Sequence, residues 1–216
     1  MPNLGPFLTL YHDEFSLGSR IVLFVIRNLS LDVNIHPINV LNGHRDVTEV
    51  IAPTLIDHSR NNFRLTDYRA ISSYLVECHR SGNSLFPNDI VKRAVINQRI
   101  YFDANTLRPR LDDIFEPILA GVAKEIPQQK KDRLKEALVY LNGFLELDKW
   151  VAGKDTTIAD LIICGTVTAI RELGLRLDEH QCVQEWLEKC KQLLPGYDEM
   201  EVGAQNWAQN VKNRMT

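Results

Sequence analysis

The chain is short of several things, and each shortage excludes a class of protein. Its four cysteines, Cys78, Cys164, Cys182 and Cys190, are scattered without a CxxC pair. That excludes a disulfide framework and a cysteine-based zinc site, and suggests reduced thiols in a cytoplasmic protein. Positive charge is not in excess: 25 Lys and Arg stand against 28 Asp and Glu, a formal charge of -3. There is therefore no general basic footprint for nucleic acid. No segment has the roughly 18 uncharged apolar residues that a membrane span needs. The stretch "MPNLGPFLTLYHDEF" (1–15) has no basic n-region and no long apolar run, so no secretory leader is expected. Internal repeats and low-complexity tracts are absent as well.

What is present is a core-forming composition, with hydrophobic residues making up 44% of 216. The first 80 residues change period often. "FLTLYH" (7–12) reads as a strand and "SRIVLFVIRNL" (19–29) as a helix buried on most sides. "DVNIHPINV" (32–40) alternates as a second strand. "TLID" (54–57) and "FRLT" (63–66) flank "HSRNN" as a hairpin, and "YRAISSYLVECH" (68–79) is helical again. This is an α/β order. "RSGNSLFPND" (80–89) reads as a linker.

Beyond it the period is helical throughout. One long helix is expected from Val91 to about Gly121, interrupted or kinked near Pro109 and Pro117. Further helices are expected over 128–146, 156–173, 183–194 and 197–213. The segment 156–173 is apolar nearly all round and should lie at the centre of this half. It opens on "TTIAD", in which Thr157 caps a helix and Asp160 reaches back to the N–H of the cap.

One stretch sets a puzzle. "VTEVIAPTLID" (47–57) has the residues of a buried strand, yet Pro53 sits inside it, where it gives no hydrogen bond to a ladder. By itself this is compatible with a proline that merely starts a strand.

Taken together, "LYHDEFSLGSR", "APTL", "LTDYRAISSYL" and "VAGKDTTIADLII" resemble the cytosolic glutathione transferases in order and spacing. "AVINQRIYFD" and "IFEPIL" look most like the insect epsilon class, with delta next. The resemblance covers nearly the whole chain. It implies a thioredoxin-like α/β domain over 1–82 and an all-helical domain over 88–216 that carries a hydrophobic substrate site. It also implies that Pro53 follows a cis bond and that Ala52 offers its main chain to the cysteinyl part of glutathione. Ser16 stands where these classes carry their catalytic serine, as hydrogen-bond donor to the thiolate of the bound co-substrate. Asp67, Tyr68 and Arg69 stand at the γ-glutamyl end. Arg108, Leu111, Asp112, Phe115, Glu116, Leu119 and Trp207 are the candidates for the second substrate's cleft. No metal is implied.

The sequence departs from the family pattern in three places. "LGS" (17–19) replaces the usual "xPC" after the serine. The segment before Pro53 is about seven residues shorter than usual and lacks its histidine, for which His44, Arg45 or His58 are possible substitutes. Tyr68 replaces a serine whose hydroxyl binds the γ-glutamyl carboxylate, and its larger ring is expected to fill that pocket. A hydrogen bond to a charged group is worth roughly 1.5–3 kcal/mol, so losing two without replacement would cost about 3–6 kcal/mol. The resemblance thus implies conjugation of glutathione to hydrophobic electrophiles, weak or narrow in range, as in detoxification. The alternative is a non-catalytic protein that keeps the fold and binds a hydrophobic ligand. A thiol oxidoreductase is disfavoured because no cysteine occurs before Cys78. A homodimer is expected, with Tyr74, Ala94 and Tyr101 in its seam; no nucleic-acid or membrane partner is expected.

Overall fold

The computed structural model describes residues 7–38, 51–79 and 84–215. The N-terminal part is a four-stranded mixed sheet with two helices. Strands β1 (Leu8–His12), β2 (Asn34–Pro37), β3 (Thr54–Asp57) and β4 (Phe63–Leu65) lie in the order β2-β1-β3-β4. β1 runs parallel to β2 and antiparallel to β3, which pairs antiparallel with β4. Leu10 stands opposite Leu55, and Leu55 opposite Leu65. Leu8, Leu10 and Leu55 are buried in the core. The β3–β4 connection is a short 3₁₀ turn over His58–Arg60, followed by Asn61 and Asn62 in the left-handed region. Asparagine tolerates that conformation better than most residues.

Helix α1 (Leu17–Leu29) crosses between the two strands of the parallel pair. Ser16 caps it, and Ser30 ends it in the left-handed region with its N–H on Arg27 and Ile26. Helix α2 (Tyr68–His79) follows β4.

The C-terminal part is helical. Helices α3 (Ile90–Phe102) and α4 (Arg108–Leu119) form one run joined by a π-helical turn over Asp103–Leu107. The break that the sequence predicts near Pro109 falls in the turn just before it. The cause is local. Pro109 has no N–H for the carbonyl of Asn105, and its ring clashes with that carbonyl in a regular helix. A wider turn, with the Arg108 N–H on the Asp103 carbonyl, absorbs the misfit. Pro117 stays inside α4 without ending it.

Helices α5 (Gln128–Leu147), α6 (Ile158–Glu172), α7 (Gln181–Leu193) and α8 (Tyr197–Asn213) complete the fold. α6 is buried from Ile158 through Ile170, and the capping box at Thr157 and Asp160 is formed. Asp160 does more than cap: its Oδ1 also accepts from the Val151 N–H at 2.9 Å and the Trp186 Nε1–H at 3.1 Å. α1 packs on α6 and α8, and α2 packs on α6, so the sheet is fastened to the bundle through its own helices. Among the described residues no helix is long and apolar enough to cross a membrane. The four cysteines are free thiols.

Candidate functional site

Three chain ends meet at one corner of the sheet: the start of α1, the start of β3 and the start of α2. Gly18 reports the meeting. A Cβ at that position would stand 3.3 Å from Cδ of Pro53 and 2.9 Å from Cδ1 of Tyr68. The Ala52–Pro53 bond is cis, as the sequence resemblance implied.

Ser16 is the N-cap of α1. Its Oγ accepts from the Ser19 N–H at 3.3 Å, and its own N–H donates to the Asp13 carbonyl at 3.0 Å. A hydroxyl also carries a proton to give, and that proton is left for another acceptor. No acidic residue lies in the first turn of α1 itself, which leaves the positive end of its dipole beside the Ser16 hydroxyl. The loop before it is held by side chains: Asp13 Oδ1 accepts from the Phe15 N–H at 2.9 Å, and Ser19 Oγ accepts from the Asp13 N–H at 3.3 Å.

Asp67 caps α2. Its Oδ1 accepts from the N–H groups of Arg69 and Ala70, each at 2.9 Å. Tyr68 buries its ring, 7% exposed, against Gly18. Its hydroxyl donates to Asp103 Oδ2 at 2.8 Å. An apolar ring gains by burial, and the interior supplies the acceptor that its hydroxyl needs. Burial first, and then the negative charge of Asp103, push the phenol far above its ordinary range.

Asp103 is fully buried and serves three side chains. Besides Tyr68 it accepts from Arg69 Nη2 at 2.7 Å and Nε at 3.1 Å, and from Thr166 Oγ1 at 2.8 Å. The Arg69 guanidinium lies 4.0 Å from the centre of the Tyr68 ring. One carboxylate therefore ties the start of α2 to the π turn and to α6. Sequence reasoning missed it, although a signal existed: Ile96, Ile100, Asp103 and Leu107 recur at helical spacing, and all four are buried. An acid on an apolar face needs partners elsewhere.

The candidates for the second cleft divide. Phe115 and Trp207 meet edge to face, with ring centres 4.9 Å apart. Arg108 and Asp112 form an ion pair, so Asp112 is already engaged. Burial pushes the Asp112 carboxyl up, and Arg108 opposes that rise. Leu111 lies wholly in the core, Leu119 is half-buried, and Glu116 points outward. Among the three possible substitutes for the missing histidine, His58 spends both ring nitrogens, on Thr9 Oγ1 at 3.0 Å and Asn62 Oδ1 at 2.7 Å. His44 and Arg45 lie outside the described residues. Among the described residues no cluster of His, Cys, Asp or Glu is placed to hold a metal ion.

This sheet, strand order and helical C-terminal part define a thioredoxin-like transferase fold. No protein-family profile matches the chain. It is 35% identical over 207 residues to glutathione S-transferase D7 of Drosophila melanogaster, covering 92% of this chain and 89% of that one. A structure of glutathione S-transferase unclassified 2 from Bombyx mori superposes with a TM-score of 0.90 at 36% identity, covering 97% of this chain and 99% of that one. A delta-class glutathione transferase from Nilaparvata lugens gives 0.89 at 34%, covering 97% and 100%. The chain belongs to the glutathione S-transferase family.

Proposed function

We propose that the chain joins the thiolate of glutathione to a small hydrophobic electrophile, with Ser16 as the residue that stabilises the thiolate. The observation that supports this is the Ser16 hydroxyl at the N-cap of α1, a helix whose Gly18 lies against Pro53. A donated hydrogen bond and the helix end favour the charged sulfur and lower the thiol pKa from about 8.5. The glutathione sulfur is the nucleophile. Its electron pair forms the S–C bond while a leaving group departs with its own pair, or while an activated double bond takes up the charge and then a proton. Holding both reactants in one cleft supplies much of the rate.

In this reading Ala52 and Pro53 hold the cysteinyl backbone. The start of α2, with Asp67 and Arg69, faces the γ-glutamyl end, and Tyr68 supports it from below. Arg108, Asp112, Phe115, Glu116, Leu119 and Trp207 line the electrophile's side, with Leu111 as backing. The protein acts in the cytoplasm as a homodimer whose domains span 1–82 and 88–216. Its motifs look most like the epsilon class with delta next, and structures of both classes resemble it, the delta-class enzyme at 34% identity and the epsilon-class one at 30%. Activity is weak or narrow, because the serine hydroxyl at position 68 and the histidine before Pro53 are missing.

Calorimetric titration with glutathione, together with turnover of Ser16→Ala, tests the proposal. The wild type should bind in the millimolar range. Ser16→Ala should bind about equally and conjugate roughly 10- to 100-fold more slowly, the loss of one hydrogen bond to a charged atom. An unchanged rate in Ser16→Ala would remove Ser16 from the mechanism.

A further inference from the structure

The start of α2 spends most of its hydrogen-bond donors inside the chain. Asp67 Oδ1 takes the N–H groups of Arg69 and Ala70, each at 2.9 Å. The Asp67 carbonyl takes the Ile71 N–H at 2.8 Å. The Tyr68 hydroxyl is turned inward and donates to Asp103 Oδ2 at 2.8 Å. The Arg69 guanidinium gives Nε and Nη2 to the same carboxylate, at 3.1 and 2.7 Å. Of the donors on these residues, that leaves the N–H of Tyr68 and Nη1 of Arg69, which stands 3.9 Å from Asp67 Oδ2.

A helix start ordinarily accommodates an anion, because its first N–H groups lack partners and its dipole is positive there. Here Asp67 is already that anion. Its side chain is 57% exposed, so its charge is open to a ligand. Two main-chain bonds fall on Oδ1, and Oδ2 keeps lone pairs for a donor from outside. A ligand carboxylate brought here meets a like charge and few donors. A ligand ammonium meets an acceptor of opposite charge.

We propose that the site recognises the amino end of its thiol co-substrate by the ammonium, on Asp67, and gives the γ-glutamyl carboxylate little binding. This rests on the placement proposed above, with the cysteinyl backbone on Ala52 and Pro53 and the amino end at α2. The co-substrate class is then the cysteinyl thiol peptides whose amino end bears an ammonium, with glutathione as one member. Tyr68 sets this range, because its hydroxyl is held by Asp103 and is lost to the ligand. Asp67 sets the sign of the charge that the end accepts.

Three thiols separate the two charges. Glutathione carries both, γ-aminobutyryl-cysteinylglycine lacks only the γ-glutamyl carboxylate, and glutaryl-cysteinylglycine lacks only the ammonium. Calorimetry on the full chain gives their affinities, and turnover with a chlorinated nitrobenzene gives kcat/KM. The aminobutyryl thiol should bind within about twofold of glutathione or tighter. The glutaryl thiol should bind at least about threefold more weakly, the worth of a half-exposed ion pair. Asp67→Asn keeps an acceptor for the cap but not the charge, and should bring the glutaryl thiol level with glutathione. Tyr68→Ser should raise glutathione several-fold over the aminobutyryl thiol. The wild-type and Asp67→Asn comparisons decide the matter even where Tyr68→Ser does not fold.

The proposal is overturned if the aminobutyryl thiol binds more weakly than stated, if the glutaryl thiol binds more tightly, or if Asp67→Asn leaves their order unchanged. A folded Tyr68→Ser with the wild-type ratio of glutathione to aminobutyryl thiol overturns it too. In each of these outcomes glutathione is still bound and conjugated, so the function proposed above survives. A wild type that neither binds nor turns over any of the three thiols overturns both.

Discussion

Gly18 and Tyr68 share one volume: a Cβ on Gly18 would come within 2.9 Å of Tyr68 Cδ1. In the sequence the two residues are separate departures from the family pattern, a glycine in "LGS" and a tyrosine in place of a serine. In the structure each explains the other. The ring runs inward because position 18 has no side chain, and it is held there by Asp103.

Gly18→Ala should therefore destabilise the protein. Alanine gains up to about 1 kcal/mol over glycine in a helix. Overpacking against a fixed ring costs about 1–3 kcal/mol, and the ring cannot swing aside without losing its bond to Asp103. In the Tyr68→Ser background the obstacle is gone, so the same change should be neutral or stabilising. Urea unfolding of the four proteins measures the coupling, expected at about 0.5–3 kcal/mol. Equal effects in both backgrounds would deny the shared volume.

Tyr68→Ser alone should have two opposite effects. It places a hydroxyl at the start of α2, where an anion is favoured, and glutathione should bind several-fold tighter, by about 1.5–3 kcal/mol at most. It also empties a buried ring site, at about 3–5 kcal/mol of stability. Calorimetry and melting on one sample separate the two. Unimproved binding would mean that the existing main chain already serves the carboxylate.

The fold was legible wherever period and burial agree. α6 is apolar all round and central, and β1 and β3 are short apolar runs that the core buries. The break near Pro109 was legible in place but not in form, because a proline constrains the preceding turn and leaves open how that turn relaxes. At the site, the Ser16 cap and the cis bond before Pro53 were legible in the sequence. Asp103 and the Gly18–Tyr68 contact were not. Each joins segments far apart in the chain, and a single sequence carries no sign of which distant residue fills a space or accepts a proton.

His12 makes stability depend on pH. Burial holds its imidazole below the ordinary 6.5, against the Ser19 main-chain bond and the charge of Asp13. As pH falls through about 6.5, the unfolded chain takes up a proton that the folded chain still refuses. The unfolded state then binds more protons, and stability falls with pH. His180 is lowered by burial as well. Melting between about pH 7.5 and 5.5 should decline in the wild type and decline less steeply in His12→Gln, with His180 keeping its share. The same slope in both proteins would place His12 outside this linkage.

Tyr101 and Phe63 are exposed aromatic residues, at 63% and 43%. Tyr101 lies on α3 and Phe63 on β4, next to Tyr74 of α2 at a ring distance of 5.3 Å. An apolar seam over these elements would cover them. Sedimentation should give twice the chain mass of 24.8 kDa, and Tyr101→Glu should shift it toward the single chain by burying a charge. A wild type that sediments as the single chain at micromolar concentration would refute the dimer.

Asp103 should outrank every group that bonds to it. Tyr68→Phe removes one donor and leaves the carboxylate with Arg69 and Thr166, so the expected loss is one hydrogen bond to a charged atom, about 1.5–3 kcal/mol. Asp103→Asn is nearly the same size but takes away the charge. The Arg69 side chain, 17% exposed, then keeps a positive group against a neutral amide, with the Asp67 carboxylate 3.9 Å away as its remaining counter-charge. Breaking one partner of a buried pair costs about 3–5 kcal/mol. The effect should reach the site, because Arg69 stands in the first turn of α2 and anchors it to α6 through Asp103 and Thr166. Glutathione affinity should therefore fall in Asp103→Asn even under conditions where the protein remains folded, and should fall less in Tyr68→Phe. Restoring a neutral pair with Asp103→Asn and Arg69→Gln together should recover part of the stability, since no buried charge is left alone. If Asp103→Asn costs no more than Tyr68→Phe, the carboxylate is only one acceptor among several, and it does not hold α2 to the helical part.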